Sequence, residues 1–325
     1  MALLRLLAVM LSLATPLCAG IDPLPSWNEG ATKAAILDFI GQSADPASAG
    51  FVPVADRIAV FDNDGTLWSE KPVYFQFLFA LDQARAKAAA DPAWANTPVL
   101  QAAVAGDMKT ILAGGEAALL EIVTATHSGM TVEAFTAEAA AWFATARHPE
   151  TGLPYTGMTF LPMIELLDHL RANGYQTFIV SGGGVDFMRA FAMGAYGIPP
   201  QQVIGSLGKA SVEIIDGAPQ VMKDPGLAFI DDKDGKPIGI QRAIGKRPVF
   251  AAGNSDGDLA MLQWTSAGTG PRFGLIVHHT DAAREWAYDR DSAVGRLDKA
   301  LDSAAAAGWT VVDMKADWAR VWTGE

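Results

Sequence analysis

The chain has 325 residues, half of them hydrophobic and 18% charged, a composition that allows a large packed core and excludes an intrinsically disordered chain. Its formal net charge of -12 argues against nucleic acid and anionic membrane surfaces as partners, because both demand clustered Lys and Arg. The single cysteine, Cys18, excludes a disulfide framework, Cys-ligated zinc and thiol catalysis once the first twenty residues are removed.

Those twenty residues, MALLRLLAVMLSLATPLCAG, carry an early positive charge (Arg5), an apolar stretch, then Pro16 and small residues. This is the layout of a secretory signal peptide, and it predicts export, to the bacterial periplasm, with cleavage after Ala19 or Gly20. The apolar run is short for a bilayer span and Pro16 ends it, so no membrane association is expected after cleavage. Lipid attachment at Cys18 is disfavoured, because Thr15-Pro16-Leu17 lacks the small residues that normally precede such a cysteine.

Residues 31–43 read as a short helix, and RIAVF (57–61) as a buried strand. A helix-rich stretch, 72–148, follows, with apolar residues recurring every three or four positions and Pro and Gly between segments. FLPMIELLDHLRANGY then reads as a helix stopped at Gly174, leading into the strand QTFIVS (176–181). A helix over 184–196 precedes the strand segment QVIGS, and 206–235 read as irregular β-hairpin with turns at DGAP and DKDG. A helix over 237–245, the strand PVFAA (248–252), the helical DLAMLQW and the strand FGLIVHH complete the series. Strands alternating with helices predict an α/β fold with a mostly parallel sheet. The helical block interrupts that alternation and is expected to be an inserted lid. The expected division is a leader at 1–20, a core at 21–70 and 150–325, and a cap at 71–149.

Three of these strands end in polar, turn-rich sequence: FDNDGT, VSGGG and AAGNSDGD. In an open parallel sheet ligands bind at the carboxyl ends of strands, so the three should meet in one crevice. Asp62 and Asp64 sit two apart there, and an Asn or Asp of GNSDGD completes an oxygen-only cage suited to Mg²⁺. A carboxylate is also a competent nucleophile toward phosphorus. Ser181 and the backbone N–H groups of Gly182 and Gly183 offer an anion nest for phosphoryl oxygens. A lysine is wanted to neutralise developing charge, and DKDGKPIGIQ supplies Lys233 and Lys236, the latter directly ahead of a helix.

In these residues the chain resembles the haloacid dehalogenase (HAD) superfamily, and within it the phosphatases similar to phosphoserine phosphatase. Asp62-Asn63-Asp64-Gly65-Thr66 matches its D-x-D-G-T motif, Ser181 its strand-terminal Ser or Thr, Lys236 its helix-leading Lys, and Gly253 to Asp258 its acidic fourth turn. The resemblance spans about residues 57–280 in the family's order. It implies a Rossmann-like core with an inserted α-helical cap, Mg²⁺ dependence, and an aspartyl-phosphate intermediate formed on a small phosphorylated substrate. Asp62 would be the nucleophile and a metal ligand. Asp64 would be the general acid and then base, lending its carbonyl to the metal. Thr66 and Ser181 would hold phosphoryl oxygens, and Lys236 would bridge nucleophile and phosphate. Asn254 and Asp258 would complete the metal site. Asn254 stands where the family usually has Asp, so Asp256 or Asp258 is expected to carry more of the metal's charge. The second acid, Asp64, favours phosphate-ester hydrolysis over dehalogenation, since only the ester needs a proton for its leaving group. Asn63 is expected to point away from the site.

The competing readings are a catalytically idle protein that holds a phosphorylated ligand, a phosphomutase, and a phosphonate hydrolase. The last would need a cap lysine, with Lys87 and Lys109 on offer. For Glu70 and Lys71, contact with substrate or the cap hinge and a solvated surface pair weigh equally. His278 and His279 are expected in a site-edge or structural role rather than on zinc, as no Cys or further His cluster supports it. Trp264, Trp286, Trp309, Trp318 and Trp322 are expected in the core, and Arg85 and Arg147 on the surface. Substrate identity and oligomeric state have no motif.

Overall fold

The computed structural model describes residues 22–324; the expected leader and Cys18 lie outside them. Nine strands form one sheet: β1 (Ile58–Phe61), β2 (Met130–Thr131), β3 (Gln176–Gly184), β4 (Val203–Ile215), β5 (Ala218–Phe229), β6 (Phe250–Gly253), β7 (Phe273–Thr280), β8 (Ala287–Tyr288) and β9 (Thr310–Asp313). The run β4-β3-β1-β6-β7-β9 is parallel throughout, and β2, β5 and β8 add antiparallel edges. This is the expected α/β fold with a mostly parallel sheet.

Strand β1 shows why the sheet is covered on both faces. All four of its residues are buried. Ala59 and Phe61 enter one apolar cluster with Ile36, Ile40, Met163 and Leu166 of the helices Ala31–Ala44 and Leu161–Ala172. Ile58 and Val60 enter the other, with Ile240, Met261, Leu262 and Ala300. The two-residue period of a strand sends alternate side chains to opposite faces, so a continuous apolar run is what a two-sided parallel strand requires. From β1 the chain winds outward through β3 and β4, then returns to β6 and winds the other way. The point of reversal lies between β1 and β6, where open α/β sheets bind ligands.

The helices Phe75–Ala90, Pro98–Ala105, Met108–Ala113, Gly115–His127 and Val132–Thr145 fill the stretch expected as a cap. One side of Phe75–Ala90 (Phe77, Ala80, Leu81, Ala84) builds a separate small core with Leu100, Ile111 and Ile122. Its Phe75 and Phe79 instead join Phe135, Phe143, Phe187 and Phe191 on the main core. Burying each such phenylalanine contributes about 2–3 kcal/mol, so this helical block is held by packing on two sides.

The hairpin expected over 206–235 is longer and more regular than the sequence suggested. Strands β4 and β5 pair from Leu207↔Phe229 to Ile215↔Ala218, closed by Asp216-Gly217 with φ of 51° and 80°. Positive φ at both loop residues is the geometry of a two-residue hairpin turn, which Asp-Gly favours. Short β2 pairs with β5 (Met130↔Lys223, Thr131↔Met222), stitching the helical block to this arm. The helix expected over 184–196 is split into Val185–Arg189 and Ala192–Tyr196. Trp309, Trp318 and Trp322 are buried, and Trp264 and Trp286 pack against the core part-buried. Arg85 and Arg147 are exposed, as expected.

Candidate active site

Pairing Phe61 with Ile179 on one side and with Ala252 on the other puts three strand ends together: Asp62, Ser181 and Asn254. Strands lie about 4.8 Å apart, so these residues share one small crevice. The Asp62 amide donates to Ala252 O at 2.9 Å, extending the register one residue past β1. Asp62, Ser181, Asn254, Lys236 and Asp258 are all buried.

Lys236 lies in the first turn of the helix Gly235–Ala243. Its ammonium donates to Asp62 Oδ1 at 2.6 Å and to Asp258 Oδ1 at 2.5 Å. Burial disfavours the charge, but these two carboxylates outweigh it and hold the lysine protonated well above its ordinary range. Burial and then the Asp258 charge push the Asp62 carboxyl upward, opposed by Lys236. Lys233, the other candidate, is an exposed residue with φ of 52°. The geometry therefore selects Lys236.

Asp64 is held by Trp68, whose indole Nε1 donates to its Oδ1 at 2.7 Å. Burial pushes the Asp64 carboxyl up to about 6. Two carboxyl groups two residues apart thus have different nearest partners: an ammonium for Asp62, an indole N–H for Asp64. Asn63 Oδ1 accepts from the Tyr196 hydroxyl at 3.0 Å, and its side chain also bonds the Asp64 carboxyl and lowers it, so the expectation that Asn63 points away from the site is not met. Gly65 closes the turn with φ of 73°, and a Cβ there would collide with Asn254 Nδ2, so only glycine serves.

Two expectations are corrected here. Asp258 does not offer an oxygen to a metal. Its Oδ1 accepts from Lys236, and its Oδ2 accepts from the amides of Asn254 (3.0 Å) and Ser255 (3.1 Å) and from Ser255 Oγ (3.3 Å). It positions the lysine and the loop. Asp256 is likewise engaged elsewhere, its Oδ1 accepting from the amides of Asp298 and Ala300 at the start of the helix Lys299–Ala307. The Gly182-Gly183 nest is also altered. Strand β3 runs on through both residues to Gly184, and the Gly183 amide donates to Ser181 Oγ at 3.1 Å instead of opening into the crevice.

The donor set for Mg²⁺ is then Asp62, the Asp64 carbonyl and Asn254 Oδ1. Among the described residues no group of three or more His, Cys, Asp or Glu side chains is placed to hold a metal, so an ion here relies on amide and main-chain oxygens. The set still fits, because Mg²⁺ commonly takes one or two carboxylates and completes its shell with water and substrate oxygens. The orientation of Asn254 supports this. Its Nδ2 donates to Glu70 Oε1 at 2.7 Å, which leaves Oδ1 on the opposite side, where Thr66 Oγ1 donates to it at 3.3 Å. The Oε1 atom of Glu70 accepts from both the Asn254 amide and the Tyr288 hydroxyl, so Glu70 fixes which end of the amide faces the crevice.

Glu70 and Lys71 are therefore not a solvated pair. Glu70 is buried and also accepts from the Tyr288 hydroxyl at 2.8 Å. Burial pushes it up to about 7. Lys71 donates to Ser292 Oγ at 2.6 Å and Val294 O at 2.8 Å. His279 takes the structural role expected of it. Its Nε2 donates to Gly65 O at 2.8 Å and its Nδ1 to Glu285 Oε2 at 3.0 Å, so both nitrogens carry protons. Burial opposes that charge, but Glu285 above all raises the pKa over the ordinary histidine value. Trp68, Glu70, Tyr288 and Glu285 brace the D-x-D-G-T loop, and no motif announces them. The only sequence signal is the proximity of Trp68 and Glu70 to Asp64.

The sequence profile of the haloacid dehalogenase-like hydrolases (HAD) matches residues 59–263, and the chain belongs to that family. No curated protein matches the sequence. A solved structure of a functionally unknown protein from Anaerococcus prevotii is similar at 16% identity over 80% of this chain and 88% of its own, with a TM-score of 0.54. One of unknown function from Bordetella pertussis aligns at 18% identity over 79% of this chain and 98% of its own, with a TM-score of 0.49. A phosphoserine phosphohydrolase-like protein from Francisella tularensis aligns at 16% identity over 68% and 87%, with a TM-score of 0.38. At these identities the likeness is one of fold.

Proposed function

We propose that this haloacid dehalogenase-like hydrolase cleaves a small phosphate monoester through an aspartyl-phosphate on Asp62. The observation that carries the reading is the pairing of unlike carboxyl groups at the β1/β6 reversal: Asp62 on Lys236 at 2.6 Å, and Asp64 held by Trp68 with its pKa at about 6. A nucleophile needs a cation beside it and a general acid needs a proton to give: the Lys236 ammonium faces Asp62, and burial raises the Asp64 carboxyl toward neutral pH.

In the first half-reaction an Asp62 oxygen forms a bond to phosphorus as the ester P–O bond breaks. Asp64 transfers its proton to the departing alkoxide. Ser181 and Thr66 orient phosphoryl oxygens, and the Lys236 ammonium offsets charge building between nucleophile and phosphate. In the second half-reaction Asp64, now a carboxylate, takes a proton from a water whose oxygen bonds to phosphorus; the P–O bond to Asp62 breaks, freeing its carboxylate and releasing inorganic phosphate. Mg²⁺, held by Asp62, the Asp64 carbonyl and Asn254, would neutralise phosphoryl oxygens. The leader-like residues 1–20 support export, to the bacterial periplasm.

The test is a panel of phosphate monoesters assayed with Mg²⁺ and with EDTA, beside Asp62→Asn. Metal-dependent release of phosphate, lost in the variant, is expected. Full activity in EDTA or in the variant would contradict the mechanism, and binding without turnover across the panel would favour the idle reading.

A further inference from the structure

Strand β4 leaves the sheet as an arm with one open edge. Its first four residues are buried, and its pairing with β3 ends at Gly184↔Ser206. From Leu207 to Ile215 it has β5 on one side and, among the described residues, no strand on the other. The irregular register near the base of the hairpin places the extra residues on β5: Leu207 faces Phe229, Gly208 faces Leu227 and Lys209 faces Asp224. The open edge of β4 is therefore free of bulges. Such an edge is a row of N–H and C=O groups ready to pair with another strand, and a two-stranded ribbon alone is marginal in water.

The side chains of this arm also lack partners. Val212 and Ile214 are 67% and 69% exposed, and Val221, which faces Val212 across the hairpin, is exposed beside them. Leu207 and Ile215 are exposed as well. Lys209 and Glu213 are exposed and make no ion pair among the described residues. Asp224, which faces Lys209 on β5, instead accepts from Ser211 Oγ at 3.0 Å.

The sequence of the edge, LGKASVEII (207–215), is complementary to itself. Antiparallel pairing of two copies about Ser211 sets Lys209 opposite Glu213, Leu207 opposite Ile215 and Ala210 opposite Val212, each twice by symmetry. Alternate residues of a strand share a face, so the charged pairs and the Leu–Ile pairs fall on one side. Val212 and Ile214 of both copies then form an apolar strip on the other. Centring the pairing on Val212 would set Lys209 against Ile215, and centring it on Glu213 would set that carboxylate against itself. Only the register about Ser211 opposes unlike charges, which stabilise a cross-strand pair where like charges destabilise it. Local matching matters here, because each copy carries a net charge of -12.

We infer that this edge binds a second copy of the chain, β4 against β4 about a two-fold axis through Ser211, joining two hairpins into one four-stranded sheet. Main-chain hydrogen bonds supply the attachment and the Lys209–Glu213 pairs fix the register.

The experiment measures association by sedimentation, up to about 1 mM chain, for the wild type, Lys209→Glu, Glu213→Lys and the variant carrying both changes. The wild type is expected to dimerise. Each single reversal sets like charges opposite one another twice and should weaken the dimer about 10-fold or more, while the double reversal restores it. Cysteine substitution in a Cys18→Ser background checks the axis independently. Ser211→Cys brings two thiols to about 4.5–5.5 Å between Cα atoms, within disulfide range, and should cross-link on mild oxidation. Ile215→Cys, with its two copies roughly 26 Å apart, should not. A wild type that stays monomeric at every concentration overturns the inference and leaves the edge to a strand of another protein. A dimer indifferent to the single reversals, a double reversal that remains monomeric, or cross-linking of Ile215→Cys in preference to Ser211→Cys also overturns it.

Discussion

The crevice at the strand ends and the helical block differ in how their polar atoms are satisfied. In the crevice Lys236 bonds two carboxylates, Asp258 uses both oxygens, and Asn254 is bonded at both ends of its amide. In the helical block His127 is buried and its Nε2 has no hydrogen-bond partner among the described residues. A saturated network holds its groups in one arrangement, whereas an unpartnered buried nitrogen costs stability.

The predictions test that division, beginning with the crevice. Asp62→Asn keeps an acceptor for Lys236 and removes the nucleophile, so kcat should fall about 10⁴-fold or more while circular dichroism is unchanged. A loss under tenfold would break the distinction between the two carboxyl groups. Asp258→Asn should destabilise the protein by about 3 kcal/mol in urea titrations, because Lys236 and the 254–255 amides lose a charged partner. Weaker Mg²⁺ binding with unchanged stability of the metal-free protein would instead restore Asp258 as a ligand.

Glu70→Gln should weaken Mg²⁺ binding about 10- to 100-fold in calorimetric titration, since a glutamine no longer dictates which end of Asn254 faces the crevice. Unchanged affinity would show that Thr66 alone sets the amide. The last prediction concerns Asp231, the exception within the core. It is fully buried, and no side chain among the described residues hydrogen-bonds its oxygens; the Ser181 amide alone reaches it and lowers it slightly. Burial pushes it up to about 7. The folded state keeps this proton longer than the unfolded chain, so the stabilisation is complete below the ordinary aspartate pKa and is lost as pH rises toward 7. Asp231→Asn should therefore match the wild type near pH 4 and exceed it near pH 8, by on the order of 3 kcal/mol in urea unfolding. Equal pH slopes would show that Asp231 is ionised in the fold.

The parts of this design that were legible in sequence are those written locally. Asp62, Asp64, Ser181, Lys236 and Asn254 each end a strand or begin a helix, so periodicity located the segments and the sheet rule brought them together. The roles of Asp258 and Gly183 were misjudged because a side chain's partners depend on distances that a motif does not encode. Lys236 reached Asp258 from 22 residues away. Glu70 and Lys71 are a surface-like pair in sequence, yet Tyr288, Ser292 and Val294 come from more than 200 residues further on to bury them. The strand β9 was missed because TVVD is only four residues long and follows an alanine-rich helix.

The central claim is that Asp62 carries the phosphoryl group. Mixing enzyme with excess ester and Mg²⁺, quenching in acid during turnover and reducing with borohydride should convert Asp62 to homoserine, located by peptide mass spectrometry. Homoserine at position 62, dependent on substrate, is the predicted result. Continued phosphate release with residue 62 unmodified, or with the change on Asp64 or elsewhere, would contradict the account.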